Sequence, residues 1–248
     1  GLFLYGMKIM SEGLQKLAGE KMRNILAAMT STHLTRILTG LLITAVIQSS
    51  SATTVMIVSF VNAGLLTLTQ SVGVIMGANI GTTLTAWVIS LLGFKADISL
   101  LALPIIGIGF PLMMLKGNNK KNIGEFIVGF AILFIGLGYL KAAVPDIGQN
   151  PEILSFLQNF ADAGYLSILL FVLIGSVLTV IIQSSSATMA LTLVMCSNGW
   201  ISFELACAMI LGENIGTTIT ANIAAMVGNV SAKRAARAHF IFNIFGVV

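Results

Sequence analysis

Ile47-Gln48-Ser49-Ser50-Ser51-Ala52-Thr53 recurs unchanged as Ile182-Gln183-Ser184-Ser185-Ser186-Ala187-Thr188. A second pair keeps the same offset of 135 residues: Gly77-Ala78-Asn79-Ile80-Gly81-Thr82-Thr83 and Gly212-Glu213-Asn214-Ile215-Gly216-Thr217-Thr218. About 19 of the 49 positions from Gly40 to Val88 match at that offset, Thr44/Thr179 and Thr85/Thr220 among them. A weaker echo, Phe3-Leu4-Tyr5-Gly6 against Leu133-Phe134-Ile135-Gly136, opens each half. One fixed offset held without a gap from Gly40 to Val88 marks two copies of one unit, read as residues 1–121 and 122–248. The apolar residues between the motifs differ between copies, whereas the polar and glycine clusters do not. That contrast points to one site shared at the interface of the two copies.

The composition sets the solvent. Of 248 residues, 56% are hydrophobic and 9% charged, against about 25% charged in a soluble domain. Mean hydropathy is +0.98. These values exclude a disordered chain, a DNA-binding domain and almost any soluble enzyme, and leave a multi-span helical membrane protein. Runs such as 98–115 and 123–140 are continuous, unlike the alternation of an outer-membrane barrel. The net charge of +4 is read as topology, not as affinity for nucleic acid. Cys196 and Cys207 have no metal-type spacing. The chain starts at Gly1 without a basic n-region and stops at Val248 inside an apolar run, so both ends read as trimmed and no signal peptide is expected.

Leu2–Leu17 reads as the apolar end of a first span, and Gly19–Thr32 as an amphipathic interfacial stretch. Leu34–Ile47 would rise about 21 Å as a helix, too short for a hydrocarbon core of about 30 Å. A polar tip and a second short helix follow it, which predicts a re-entrant hairpin over about 34–63. A span over about 69–92 is predicted to be broken at Gly77–Gly81, and Ile98–Leu115 is a plain span. The second copy repeats this plan. Ile123–Ala142 spans, Pro151–Ala161 is amphipathic, and a second hairpin covers about 165–198. A second broken span covers about 203–228, and Ala235–Val248 begins the last.

Three crossings per copy is an odd number, so the copies must be inverted. Lys21, Arg23, Arg36, Lys116, Lys120, Lys121, Lys233, Arg234 and Arg237 then fall on the cytoplasmic side. Lys95 and Lys141 fall outside, with Asp97, Asp146, Glu152, Asp162 and Glu204, in accord with the positive-inside tendency. The predicted fold is an all-α membrane protein of two inverted-topology repeats, each with three crossings, one of them broken, and one re-entrant hairpin.

A hairpin tip inside the membrane leaves carbonyls and N–H groups without helical partners. Carbonyls suit a cation; N–H groups at a positive helix end suit an anion. Paired interrupted segments in two halves mark a transporter site. The neutral oxygens of the motifs suit a hard monovalent cation beside an oxyanion, since softer metals would want Cys or His. No Lys or Arg lies in the motifs, so the anion must lean on helix ends and on a co-bound cation. That dependence is the physical basis of cotransport. The oxyanion is assigned to Ser49, Ser50, Ser51, Thr83, Ser184, Ser185, Ser186 and Thr218. Sodium is assigned to Gln48, Asn79, Thr82, Gln183, Asn214 and Thr217. Glu213 stands where the first copy has Ala78, and an ionisable group there is a cation ligand, a proton site or a gate. No enzyme is expected: neither histidine lies in a motif, and no Gly-x-Ser-x-Gly elbow occurs.

These motifs, with Ala238-His239-Phe240-Ile241-Phe242-Asn243, resemble the bacterial branch of the type II sodium-dependent phosphate cotransporters. The resemblance covers almost the whole chain. It implies a multi-pass protein of the cell inner or plasma membrane that brings in inorganic phosphate with sodium, both bound at the Gln-Ser-Ser-Ser tips and the Asn-Ile-Gly-Thr segments. Sodium is then a co-substrate, and no further cofactor is implied. It further implies a cytoplasmic regulatory domain beyond residue 248, and an oligomer is compatible with it. Animal members carry Ser where Glu213 stands. Their first copy has a His-x-x-Phe-Asn element, which 100–110 lacks here. A carrier of another small anion such as sulfate or a dicarboxylate, coupled to sodium or protons, or a phosphate exporter or channel, would share this architecture.

Overall fold

The computed structural model describes residues 1–28, 32–95, 98–143 and 164–247, with the backbone alone for 18–28, 95 and 143. The described residues form helices and no strands. In chain order they are α1 (Leu2–Ala28), α2 (His33–Ile47), α3 (Ser50–Asn62), α4 (Leu68–Val88), α5 (Ala102–Met114), α6 (Asn118–Ala143), α7 (Tyr165–Ile182), α8 (Ser185–Ser197), α9 (Phe203–Ala225) and α10 (Val230–Val247). A π-helical stretch, Ile89–Lys95, continues α4, and a 3₁₀ turn, Ile98–Leu101, leads into α5. The stretch 151–161 and the acidic residues Asp97, Asp146, Glu152 and Asp162 lie outside the described residues.

Polar starts define the helices. Thr32 and Thr67 form capping boxes with Thr35 and Gln70, and Ser202 caps α9 through the Leu205 N–H. Each such cap holds a first-turn donor that would otherwise be unpaired.

Helix packing rests on glycine. Apolar surface gains little from helix association in lipid, so small residues that let backbones approach carry the interfaces. α1 and α6 run antiparallel. A Cβ on Gly6 would overlap the Leu133 backbone, one on Gly136 the Phe3 backbone, and one on Gly129 the Met10 backbone. α2 runs parallel to α4: Gly77 meets the Ile37 carbonyl, Gly40 the Val74 carbonyl, and Gly81 the Leu41 carbonyl and Thr44. α7 and α9 repeat this parallel pair with Gly212 on the Val172 carbonyl, Gly175 on that of Met209, and Gly216 on that of Ser176.

This packing corrects the predicted breaks. α4 and α9 pass through Gly77–Gly81 and Gly212–Gly216 as continuous helix. A helical glycine costs about 1 kcal/mol against alanine, and the close backbone contact it permits offsets that cost.

The count of spans also differs. Among the described residues, three helices are long and apolar enough to cross a membrane: 68–94, 118–142 and 165–182. The sequence reading expected six. α1, with 27 residues, and α9, with 23, have the length but carry polar side chains turned toward other helices. The 98–115 span is a 3₁₀ turn joined to a 13-residue helix holding Pro111. α1 runs unbroken to Ala28, so 19–28 continues the first helix instead of forming a separate interfacial segment. α7, taken as a short hairpin arm, has 18 residues.

The halves interlock. Ala187, Ala190 and Val194 of α8 pack with Phe3, Met7 and Met10 of α1, Ile89, and Leu133, Phe134 and Leu137 of α6. Val58 of α3 packs in return with Ala221 and Ala225 of α9 and Ala232 and Ala236 of α10. The arm after each Gln-Ser-Ser-Ser run therefore rests on the other half, and this brings the two runs together.

Candidate functional site

The two runs fold alike. Gln48 ends α2 and Gln183 ends α7 in the left-handed region, with φ of 56° and 58°. They are the non-glycine residues with positive φ among those described, a conformation that costs roughly 1–2 kcal/mol without glycine. Their side chains help to hold it. Gln48 Nε2 donates to the Ala45 carbonyl (2.5 Å), and its Oε1 accepts from Thr85 Oγ1 (3.0 Å). Gln183 Nε2 donates to the Val180 carbonyl (2.6 Å), and its Oε1 accepts from Thr220 Oγ1 (3.2 Å). Each tip thus reaches a threonine on the long parallel helix beside it.

One residue further, Ser49 and Ser184 are extended and accept from the Ala52 and Ala187 N–H groups. Ser50 and Ser185 then open α3 and α8. The sequence therefore builds the same turn twice: a left-handed glutamine, a capping serine, and a helix start with two further serines.

Both tips line one cavity of about 440 Å3. It is walled by Gln48, Ser49, Ser50, Ser51, Gln183, Ser184, Ser185 and Ser186, and closed on a third side by α1. Ser50, Ser185 and Ser186 are buried to within about 6% exposure. The N-termini of α3 and α8 converge on this space, and helix N-termini attract anions through unpaired N–H groups and the helix dipole.

α1 supplies what the motifs lacked. Lys8, Ser11, Glu12 and Gln15 form a polar stripe along the cavity. Lys8 Nζ lies 3.9 Å from Glu12 Oε1. Ser11 Oγ donates to the Ile47 carbonyl (2.9 Å), which lies beside the first tip, and accepts from Gln15 Nε2 (3.1 Å). The spacing of three and four residues could have found this face, but the surrounding Leu and Met residues masked it in an apolar reading of 2–17.

The Asn-Ile-Gly-Thr-Thr segments do not line this cavity. Asn79 Nδ2 donates to Asn243 Oδ1 (2.7 Å), and Asn79 Oδ1 stands 3.4 Å from His239 Nε2. Thr82 and Thr217 donate to the Ala78 and Glu213 carbonyls of their own helices. Thr83 is exposed and donates to the Ile80 carbonyl. Thr218 donates to the Ile215 carbonyl and faces a second, mostly apolar groove with Asn222 and Phe240. Asn214 is half-buried on α9. Thr83 and Thr218 are thus away from the tip serines with which the sequence reading grouped them, because they precede Thr85 and Thr220, which touch the tip glutamines, by two residues, and two helical residues turn about 200° to the opposite face. Glu213 is 1% exposed and stands 2.8 Å from Thr192 Oγ1.

The Asn79–Asn243 pair ties α4 to α10. Asn243→Ala is expected to lower unfolding stability by about 1–3 kcal/mol, because it strips a half-buried amide of its partner. Thermal unfolding of the detergent-solubilised protein measures this.

Three comparisons bear on identity. A family model described as Na+/Pi-cotransporter matches residues 2–142 and 152–248. "Uncharacterized protein YqeW" of Bacillus subtilis is 34% identical over 249 residues, covering 99% of this chain and 77% of that protein. "Putative inorganic phosphate export protein YjbB" of Salmonella typhimurium is 28% identical over 246 residues, 99% of this chain and 44% of that one. "Sodium-dependent phosphate transport protein 2A" of Rattus norvegicus is 34% identical over 93 residues, 37% of this chain and 15% of that one. The chain thus spans less than half the length of the export protein it matches. No solved structure matches.

Proposed function

The chain belongs to the Na+/Pi-cotransporter family, and from that premise we propose that it carries inorganic phosphate through the plasma membrane with sodium, by alternating access. The observation that carries this reading is the single cavity lined by both Gln-Ser-Ser-Ser tips. A phosphate there accepts from the hydroxyls of Ser50, Ser51, Ser185 and Ser186 and from the first N–H groups of α3 and α8. Ser49 and Ser184, whose hydroxyls hold the caps, shape the turns. Sodium takes the hard oxygens at the left-handed residues Gln48 and Gln183, with Thr82 and Thr217 one turn from the threonines these glutamines touch. Asn79 and Asn214 lie a further turn away. Glu213 is the coupling group.

The architecture follows the same reading. The two halves, 1–121 and 122–248, are inverted repeats, and the pairs α2–α3 and α7–α8 are hairpins entering from opposite sides. Support comes from α1 and α6: Gly6 meets Leu133, the counterpart of Phe3, and Phe3 meets Gly136, the counterpart of Gly6, across an antiparallel pair. Such a pair fits a two-fold axis crossing the helices. Support for re-entry comes from the first tip, which meets α4 at Thr85 while that span runs on to residue 94. Nine more residues at about 1.5 Å each leave the tip well short of the end. A cytoplasmic domain beyond residue 248 and an oligomer remain compatible with this scheme.

Lys8 adds a positive charge at the cavity rim, with Glu12 as its counter-ion. Lys8→Gln is expected to raise the KM for phosphate about three- to tenfold with little change in maximal rate. The effect should shrink at high ionic strength, since the pair is solvent-exposed. KM measured at low and high ionic strength checks both statements.

Radiolabelled phosphate uptake into proteoliposomes tests the function, with an inward sodium gradient against a potassium control. Accumulation driven by sodium alone is expected. A second reading is favoured by the match to a protein named as a phosphate exporter over 99% of this chain: the same site, with net flux outward. Phosphate exchange indifferent to sodium would favour that reading.

A further inference from the structure

Two buried hydroxyls are left unspent, and they are copies of each other. Thr44 and Thr179 stand at the offset of 135 and are 1% and 2% exposed. Neither Oγ1 has a hydrogen-bond partner among the described residues. A buried hydroxyl in that state has given up its bonds to water for nothing, and one that recurs in both halves calls for a ligand.

The neighbours of the two threonines have drifted. Ile43, Ala45 and Val46 correspond to Leu178, Val180 and Ile181. Hydroxyls bonded to their own helix can be replaced as well. Thr39 donates to the Thr35 carbonyl and Thr54 to the Ser50 carbonyl, and their counterparts are Ile174 and Met189. Thr44 and Thr179 are kept although neither hydroxyl serves its helix.

Packing sets each threonine on a polar seam. α2 and α4 run parallel, and the Thr44 Cβ lies 2.7 Å from where a Cβ on Gly81 would stand. One turn on, about 5.4 Å along the helices, Gln48 Oε1 accepts from Thr85 Oγ1 (3.0 Å). α7 and α9 repeat the seam, with the Thr179 Cβ 2.8 Å from a Cβ placed on Gly216, and Gln183 Oε1 accepting from Thr220 Oγ1 (3.2 Å).

We infer that each seam holds one small, hard monovalent cation, with Thr44 Oγ1 in the first half and Thr179 Oγ1 in the second as its buried ligands. The seam oxygens have electrons to give. Thr85 and Thr220 spend their hydrogens on the glutamines and keep their lone pairs, and an amide oxygen that accepts one hydrogen keeps a second lone pair. The charge count suits a monovalent ion: no group of three or more His, Cys, Asp or Glu that could hold a metal occurs among the described residues, and divalent ions draw on carboxylates. Position suits it too. Both threonines lie in the last turn of a helix, whose C-terminus carries partial negative charge, while the N-termini of α3 and α8 just beyond the tips carry the opposite sign. Cation and anion thus take opposite ends of the same turn.

The identity of the ion as sodium rests on the coupling proposed above. Neither threonine lines the tip cavity, so sodium is read without phosphate. The purified full-length protein in detergent is titrated with sodium, choline holding the ionic strength constant, and thermal unfolding is followed. The wild type should gain Tm, as a protein does when an ion binds its native state. Thr44→Val and Thr179→Val keep the shape and remove the oxygen. In choline each should unfold at or above the wild-type temperature, because the hydroxyl lost had no partner. In sodium each should lose about half of the gain, one of two independent sites being weakened, and the double variant nearly all of it. Thr44→Ser and Thr179→Ser retain the oxygen and should respond as the wild type does.

A valine variant that keeps the whole gain would overturn the proposal. So would one that unfolds earlier in choline and sodium alike, the behaviour of a hydroxyl that serves packing or a bound water. A single variant that loses the entire gain would replace one ion per half by one shared ion. A wild type indifferent to sodium would remove the coupling and the sites together. A threonine-dependent sodium response in a protein that moves no phosphate would sink the transport reading and leave the cation sites standing.

Discussion

Ser50→Ala and Ser185→Ala are each expected to weaken phosphate binding about ten- to a hundredfold, the loss of one hydrogen bond to a charged group. The effect should fall on every transport event, not on half of them. Both serines start a helix at the same cavity, and both are nearly buried. The symmetry of their surroundings predicts losses of similar size from either half. Two separate sites, one per repeat, would behave otherwise. Each single variant would then lower capacity by about half and leave the remaining uptake at wild-type affinity. Uptake rate against phosphate concentration distinguishes the two outcomes, and a shared site requires a shift in KM without a residual wild-type component.

Gly77→Ala and Gly212→Ala are expected to abolish folding or to lower stability by about 4 kcal/mol or more, the range of severe packing faults. A Cβ at either position would overlap a carbonyl of the parallel helix, that of Ile37 or of Val172. The clash is with backbone, so no side-chain rotation relieves it. Gly107→Ala on α5 is the control: a Cβ there meets nothing within 4 Å among the described residues, and the change should be neutral or stabilising by up to about 1 kcal/mol. Monodispersity and thermal unfolding in detergent read both results. If Gly77→Ala were as stable as the control, the glycine-mediated account of α2 against α4 would be wrong.

The same glycines show where sequence reading stops. Gly77 and Gly81 in an apolar span fit a helix break and a packing notch equally well. The choice depends on the Ile37 and Leu41 carbonyls, some forty residues away in sequence, and nothing local announces them. The tips were legible because their signals are local and doubled. A glutamine, a capping serine and two more serines recur at one offset, and a shared site followed from that repetition. Their meeting in one cavity depends on α8 resting against α1 and α6, which no motif encodes.

Lys8 and Glu12 were hidden for a different reason. A helix that presents one polar face inward has an apolar average, and only the spacing of Lys8, Ser11, Glu12 and Gln15 reveals the stripe. The π-helical turn at Ile89–Lys95 was also beyond reach. Its Gly93 carbonyl accepts from Lys141 Nζ (2.7 Å) on α6, again a partner distant in sequence. Glu213 stood out as a broken repeat, but its partner Thr192 became meaningful only when the helices placed the two in contact.

The proposed transport cycle requires that the two tips make one phosphate site. Equilibrium binding of radiolabelled phosphate to the purified protein, in sodium and counted per chain, tests it most directly. One phosphate per chain is expected, with the whole of that binding weakened by Ser50→Ala and by Ser185→Ala alike. Two phosphates per chain, each variant removing one and sparing the other, would contradict it.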